Sequence, residues 1–104
     1  GLSSNFFGVI DSTIFTAEQQ VLEGITRKIV IHLIQERGLP LLFKPIRVSQ
    51  LDEMTECFIT STSRGILPVR RINQKIIGSG RPGDITRELA NLYSNKILEL
   101  IEPI

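Results

Sequence analysis

The chain has 104 residues, enough for one hydrophobic core and short for two. Hydrophobic residues make up 41% and charged residues 22%, with a formal net charge of +1. That composition excludes a disordered tail and leaves no global field to draw in nucleic acid or an anionic membrane. The single cysteine, Cys57, cannot close an internal disulfide, which fits a reducing, cytoplasmic setting. No apolar run approaches the roughly 18 residues of a membrane span, and no signal-peptide pattern opens the chain. Gly1 stands where an initiator Met would, so further residues are expected upstream.

"NFFGVI", Asn5 to Ile10, is β-rich and reads as a buried strand. Asp11 and Ser12 supply turn chemistry, and "TIFT", Thr13 to Thr16, pairs back as the second strand of a hairpin. A helix begins at the "EGITR" turn. Ile25, Ile29, Val30, Leu33 and Ile34 fall on one face, and Arg27, Lys28, Gln35 and Glu36 on the other. It ends near Arg37, with Gly38 as the stop and Pro40 just beyond. "LLFKPIRV", Leu41 to Val48, is predicted as a strand placed at an edge or bulge by Pro45. "SQLDEMTE" makes one or two helical turns with Ser49 as N-cap. "CFIT", Cys57 to Thr60, is a short buried strand, and "GILPVRRI", Gly65 to Ile72, is another, with Pro68 implying an edge or bend. "NQK" turns the chain into "IIG". After the loop "GSGRPG", Asp84 caps a helix through Leu100, with Ile85, Leu89, Leu92, Ile97 and Leu100 as its buried stripe. The order is not strict βαβ alternation, so the predicted fold is mixed α and β: one domain with a mixed sheet covered by two main helices.

Two short segments have the chemistry to hold an anion. Gly24 stands where a Ser, Thr, Asp or Asn would ordinarily cap the helix. The first-turn N–H groups have no internal partners, and the macrodipole makes that end positive. A bare glycine leaves those donors open to a phosphate, and Thr26 adds a hydroxyl in the same turn. Gly24 is equally readable as a modest N-cap. "TSTSRG", Thr60 to Gly65, gathers four hydroxyl residues and an arginine at a strand end, suited to a phosphate or carboxylate. It is also readable as a polar turn with Arg64 in solvent. If both bind anions, together they form one cup.

Other segments carry less. "GSGRPG" is not a G-x-G-x-x-G loop following a strand, and there is no Walker A motif. His32 lacks partners at metal spacing, Cys57 reads as packing, and Asp52, Glu53 and Glu56 fall on a surface helix without an acid–base pair. No aromatic interleaving accompanies Arg70 and Arg71, so no nucleic-acid surface is read there.

"SSNFF", "VLEGITR", "ITSTSRGILPVRRI" and "GSGRPGDIT" occur in an order and spacing that resembles the class IV aminotransferases, the fold-type IV pyridoxal-phosphate enzymes. That family includes branched-chain and D-amino-acid aminotransferases and aminodeoxychorismate lyase. The resemblance covers essentially the whole chain and implies the C-terminal, cofactor-binding part of the large domain, with a partly barrel-like mixed sheet. It implies that the backbone of Gly24, Ile25 and Thr26 grips the phosphate of pyridoxal 5'-phosphate and that Leu22 packs against the pyridine ring. It implies that Ser61 and Thr62 give further phosphate contacts, and that Thr62, Ser63 and Arg64 meet the substrate carboxylate. No metal is implied.

The family's Schiff-base lysine and the acidic partner of the pyridine nitrogen are expected upstream of this chain, as is the small N-terminal domain. Lys28, Lys44, Lys75 and Lys96 read as solvated rather than as substitutes. The resemblance therefore implies an inactive piece of an enzyme that moves an amino group between an amino acid and a 2-oxo acid, as a homodimer. "STSRG" is closer to the aminotransferase branches than to the lyase. A non-catalytic remnant or interaction domain of the same fold is the alternative, and uncovered apolar surface would favour self-association in either case.

Overall fold

The computed structural model describes residues 5–18 and 24–101. β1 (Phe6–Ile10) and β2 (Thr13–Thr16) form an antiparallel hairpin with Ile10 opposite Thr13. Its two-residue turn places Asp11 and Ser12 at φ +49° and +61°, the left-handed pair that matches the twist of the strands. α1 spans Ile25–Glu36 and β3 only Leu41–Leu42. A 3₁₀ helix over Val48–Glu53 leads into β4 (Glu56–Ser61) and β5 (Gly65–Pro68). β6 (Arg71–Ile72) and β7 (Lys75–Ile76) make a separate small ribbon, and α2 runs from Asp84 to Leu100.

The main sheet has the order β3-β2-β1-β4-β5. Its pairs are antiparallel except β2–β3, so the sheet is mixed, as the sequence predicted. No closed barrel forms among the described residues.

All five β1 side-chain positions are buried, because both faces of that strand are covered. On one face Phe7 and Val9 join Ile14, Phe58 and Ile66 under Val30, Leu33 and Ile34 of α1 and Leu89 of α2. Phe7 and Phe58 stack across the β1–β4 pair with ring centroids 4.9 Å apart. On the other face Phe6, Ile10 and Cys57 pack with Ile46, Met54 and Ile77. Gly8 belongs to this second layer, since a Cβ there would lie 2.2 Å from Ile46 Cδ1 and 2.6 Å from Met54 Sδ.

Several local expectations are corrected. The strand predicted over Leu41–Val48 stops after Leu42, because Pro45 offers no N–H to a ladder and Ile46 turns into the second core layer. Ser49 is not the N-cap of the following helix: Arg47 is, with its backbone N–H donating to Gln50 Oε1 at 2.9 Å. Glu56 lies on β4 rather than on that helix. The strand predicted over Gly65–Ile72 divides after Pro68, and neither Arg70 nor Arg71 points inward. Asp84 does not cap α2; Gly83 holds the N-cap position.

The helix faces also shift. Leu100 is exposed, as is Ile25 at 63%. Arg27, expected on the solvent face of α1, is only 1% exposed. His32 is on an exposed helix face, within 3.1 Å of Glu36. Among the described residues, no helix is long and apolar enough to cross a membrane, and no cluster of His, Cys, Asp and Glu could hold a metal ion.

Burial pushes the Cys57 thiol up to about 12. The folded state therefore keeps a proton that the unfolded chain releases near pH 9, and stability held in full below that pH is lost as pH rises toward 12. The expected slope is about 1.4 kcal/mol per pH unit in that window. Denaturant midpoints measured across the alkaline range check this, because a Cys57→Ala variant should lack that component of the slope.

Candidate anion cleft at the sheet end

Antiparallel pairing brings the start of β1 beside the ends of β2 and β4: Phe6 faces Ile59, and Phe7 faces Thr16. The N-terminus of α1 lands on the same end of the sheet. Between them lies a cleft of about 260 Å³ lined by Asn5, Gly24, Thr26, Arg27, Thr60, Ser61 and Thr62.

Gly24 is the N-cap of α1, in extended backbone with φ −66° and ψ 147°. Gly24 itself supplies no side-chain cap, and the first turn contains no acidic residue. A Cβ at Gly24 would meet nothing within 4 Å. The Thr26 hydroxyl donates to the Ser61 carbonyl at 3.1 Å, tying the helix turn to the hydroxyl loop across 35 residues of sequence.

That loop is ordered by its own side chains. Ser61 Oγ lies 3.2 Å from Ser63 Oγ and accepts the Arg64 backbone N–H at 3.4 Å. The Thr60 N–H donates to the Asn5 carbonyl at 2.9 Å, holding the end of β4 against the start of β1.

The electrostatics of the cleft are one-signed. Among the described residues its lining contains no carboxylate, and it does contain the helix terminus and the buried Arg27 guanidinium. Arg27 Nη1 donates to Thr16 Oγ1 at 2.8 Å and Nη2 to the Ala17 carbonyl at 2.6 Å. Its guanidinium carbon stands 5.5 Å from the centroid of the Phe7 ring. These contacts explain its burial: the side chain reaches back from α1 to the end of β2, beyond what helical periodicity alone reports.

The other end of the molecule supplies a contrast. α2 also has a glycine at its N-cap, but that terminus is occupied. Glu56 Oε1 accepts the Thr86 N–H at 2.8 Å and the Thr86 hydroxyl at 2.7 Å, and Oε2 accepts the Ile85 N–H at 3.3 Å. A Cβ on Gly83 would lie 2.1 Å from that carboxyl carbon. One glycine-started helix holds a protein carboxylate; the other faces the cleft with none among the described residues.

The structure brings together Gly24, Thr26, Ser61 and Thr62 from the predicted site residues. Ile25 is in the same turn but projects its side chain to solvent. Ser63 and Arg64 line instead a neighbouring groove of about 530 Å³, walled by Ile66 and by Tyr93, Ile97 and Leu98 of α2, and Thr62 borders both spaces. Leu22 lies outside the described residues. Lys28, Lys44 and Lys75 are exposed, Lys96 is half-exposed, and none of the four lines the cleft. Asn5, Arg27 and Tyr93 are the local residues that the sequence reading missed. For Asn5 a signal existed in its place within "SSNFF", but nothing in the pattern around Tyr93 distinguishes it from a core aromatic.

Comparison with known proteins agrees with this architecture. Residues 1–72 match the family model described as "Amino-transferase class IV". The chain is 37% identical over 100 residues to a D-alanine aminotransferase of Bacillus licheniformis, a stretch covering 94% of this chain and 35% of that protein. It is 35% identical over 104 residues to a probable branched-chain-amino-acid aminotransferase of Thermotoga maritima, covering 98% of this chain and 38% of that protein. Among solved structures, the branched-chain amino acid aminotransferase of Escherichia coli superposes with a TM-score of 0.80 at 30% identity, over 88% of this chain and 31% of that one. The T.th. branched-chain amino acid aminotransferase, solved with pyridoxamine 5'-phosphate, gives 0.82 at 32% identity, over 89% and 31%. The chain thus spans about a third of the length of these relatives. Sequence and fold agree across nearly all of that third, and the chain belongs to the class IV aminotransferases.

Proposed function

We propose that this chain is the phosphate-holding part of a pyridoxal 5'-phosphate-dependent aminotransferase, acting on an amino acid of the branched-chain or D-amino-acid type and a 2-oxo acid. The observation that carries the reading is the pairing of an α1 terminus that begins at a bare glycine with a hydroxyl loop in one cleft. A phosphate ester fits this donor set: backbone N–H groups of the first turn and the Thr62 side chain, with the Arg27 guanidinium beneath them. Gly24 offers no Cβ to crowd the approach.

In this reading Gly24, Ile25 and Thr26 hold the phosphate through the backbone, with Ser61 and Thr62 on its other side. Thr62, Ser63 and Arg64 orient the substrate carboxylate, the guanidinium of Arg64 being suited to a bidentate contact. Leu22 is assigned to packing against the cofactor ring. Pyridoxal phosphate, when bound, supplies the electron sink for amino-group transfer. The proton-transferring lysine belongs to the part of the enzyme that this chain does not span, so the chain binds and orients without turning over. The homodimer and the cytoplasmic setting are parts of the same reading.

The test uses pyridoxamine 5'-phosphate, whose amine cannot condense with exposed lysines. Equilibrium dialysis against the full chain should show roughly tenfold or tighter binding relative to pyridoxamine, equivalent to about 1.4 kcal/mol, and inorganic phosphate should compete. Equal affinity for the two compounds overturns the reading.

A further inference from the structure

One side chain from α2 reaches the cleft from behind its lining. Tyr93 Oη lies 3.2 Å from Thr26 Oγ1. The Thr26 hydroxyl has one hydrogen, and in this structure that hydrogen goes to the Ser61 carbonyl, which can only accept. The hydrogen between Tyr93 and Thr26 must therefore come from the phenol.

The ring is held in place independently. Gly65, which begins β5 at the end of the hydroxyl loop, has φ +74°, and a Cβ there would stand 2.6 Å from Tyr93 Cε2. The absent side chain is what lets the ring lie against the backbone of β5 while its oxygen reaches Thr26. Tyr93 thus touches both halves of the cradle, the helix turn by its hydroxyl and the hydroxyl loop by its ring.

We propose that Tyr93 is a positioning residue for the anion cleft: by donating to Thr26 Oγ1 it directs the single Thr26 hydrogen away from α2 and onto the Ser61 carbonyl, and so keeps the two loops in register. The inference rests on the anion reading above and deepens it. A donor whose own oxygen accepts a hydrogen bond is a stronger donor, so removing the phenol hydroxyl weakens the Thr26–Ser61 bond that holds the two anion-binding loops together, without touching the anion. The loss expected from one such bond is about three- to tenfold in affinity.

The test is built on the composition of the chain, which has one tyrosine and no tryptophan, so its tyrosine fluorescence reports Tyr93 alone. Inorganic phosphate is titrated into the full chain while binding is followed by phosphorus NMR and by that fluorescence. The wild-type emission should change and saturate at the same phosphate concentration as the NMR signal. Tyr93→Phe should bind phosphate about three- to tenfold more weakly. Thr26→Val, which removes the oxygen that Tyr93 donates to, should bind more weakly and lose the fluorescence response. The wild-type fluorescence readout decides the matter even if Tyr93→Phe fails to fold. Phosphate binding with a silent tyrosine, or with unchanged affinity in Tyr93→Phe, overturns the role of Tyr93 and leaves the anion cleft standing. No phosphate binding by the wild type overturns both.

Discussion

Gly24→Asp should make the protein more stable and weaken the anion binding proposed for the cleft, two effects of opposite sign from one substitution. The backbone at Gly24 is already extended, and a Cβ there meets nothing within 4 Å, so aspartate enters without strain. Its carboxylate would accept the N–H of Thr26 or Arg27 and meet the positive end of the helix. The expected gain is about 0.5–1 kcal/mol, a few degrees in melting temperature for a domain of this size. The same carboxylate would occupy the donors proposed for the phosphate and repel it. Affinity for pyridoxamine 5'-phosphate should fall about 30-fold or more, equivalent to ~2 kcal/mol. Gly24→Asn separates the causes, since it fills the donors without adding charge. Melting curves and dialysis on the three proteins give the answer, and a stabilised Gly24→Asp variant that still binds would show that the phosphate sits elsewhere.

The second large effect concerns stability alone. Glu56→Ala strips the N-terminus of α2 of the carboxylate that accepts from Ile85 and Thr86. Thr86 is 1% exposed, so water does not readily replace the lost acceptor for its hydroxyl. A lost cap together with newly unsatisfied buried donors is expected to cost about 2–4 kcal/mol, on the order of 10–20 °C in melting temperature. Gly83 provides the cross-check. With Glu56 present, Gly83→Ser drives a Cβ into the carboxylate and should destabilise. With Glu56 replaced by Ala, the same serine has room to cap the helix and should restore about 0.3 kcal/mol. A sign reversal in this double-mutant cycle is the expected outcome. If Gly83→Ser alone leaves the protein as stable as before, Glu56 is not what holds that helix end.

These two helix ends show where local sequence stops being informative. Both begin after a glycine, and in both the sequence shows only that a strong side-chain cap is missing or misplaced. Asp84 reads as a sufficient cap for α2 because Asp is a preferred N-cap residue, yet the carboxylate that performs the task comes from β4, about 30 residues earlier. Arg27 repeats the lesson. A 3.6-residue period puts it on the polar face, but its long side chain curls back to Thr16 and Ala17 and is buried there. Ile25 is the converse: the period assigns it to the core, but in the first turn nothing packs over it, and it stays exposed.

What was legible has short-range causes. The β-rich run Asn5 to Ile10 and the Asp11–Ser12 pair determined the β1–β2 hairpin. The apolar stripe and Gly38 determined the extent of α1. The family, too, was readable, since its motifs are runs of neighbouring residues. The tertiary structure alone decided that Gly24 and Ser61 share a cleft, that Arg27 lies buried at its edge, and that Tyr93 reaches Thr26 from a helix 67 residues away in sequence. The physical reason is the antiparallel sheet: β1, β2 and β4 converge at one end only through pairing between distant segments, and no local propensity records which donors that pairing will bring face to face.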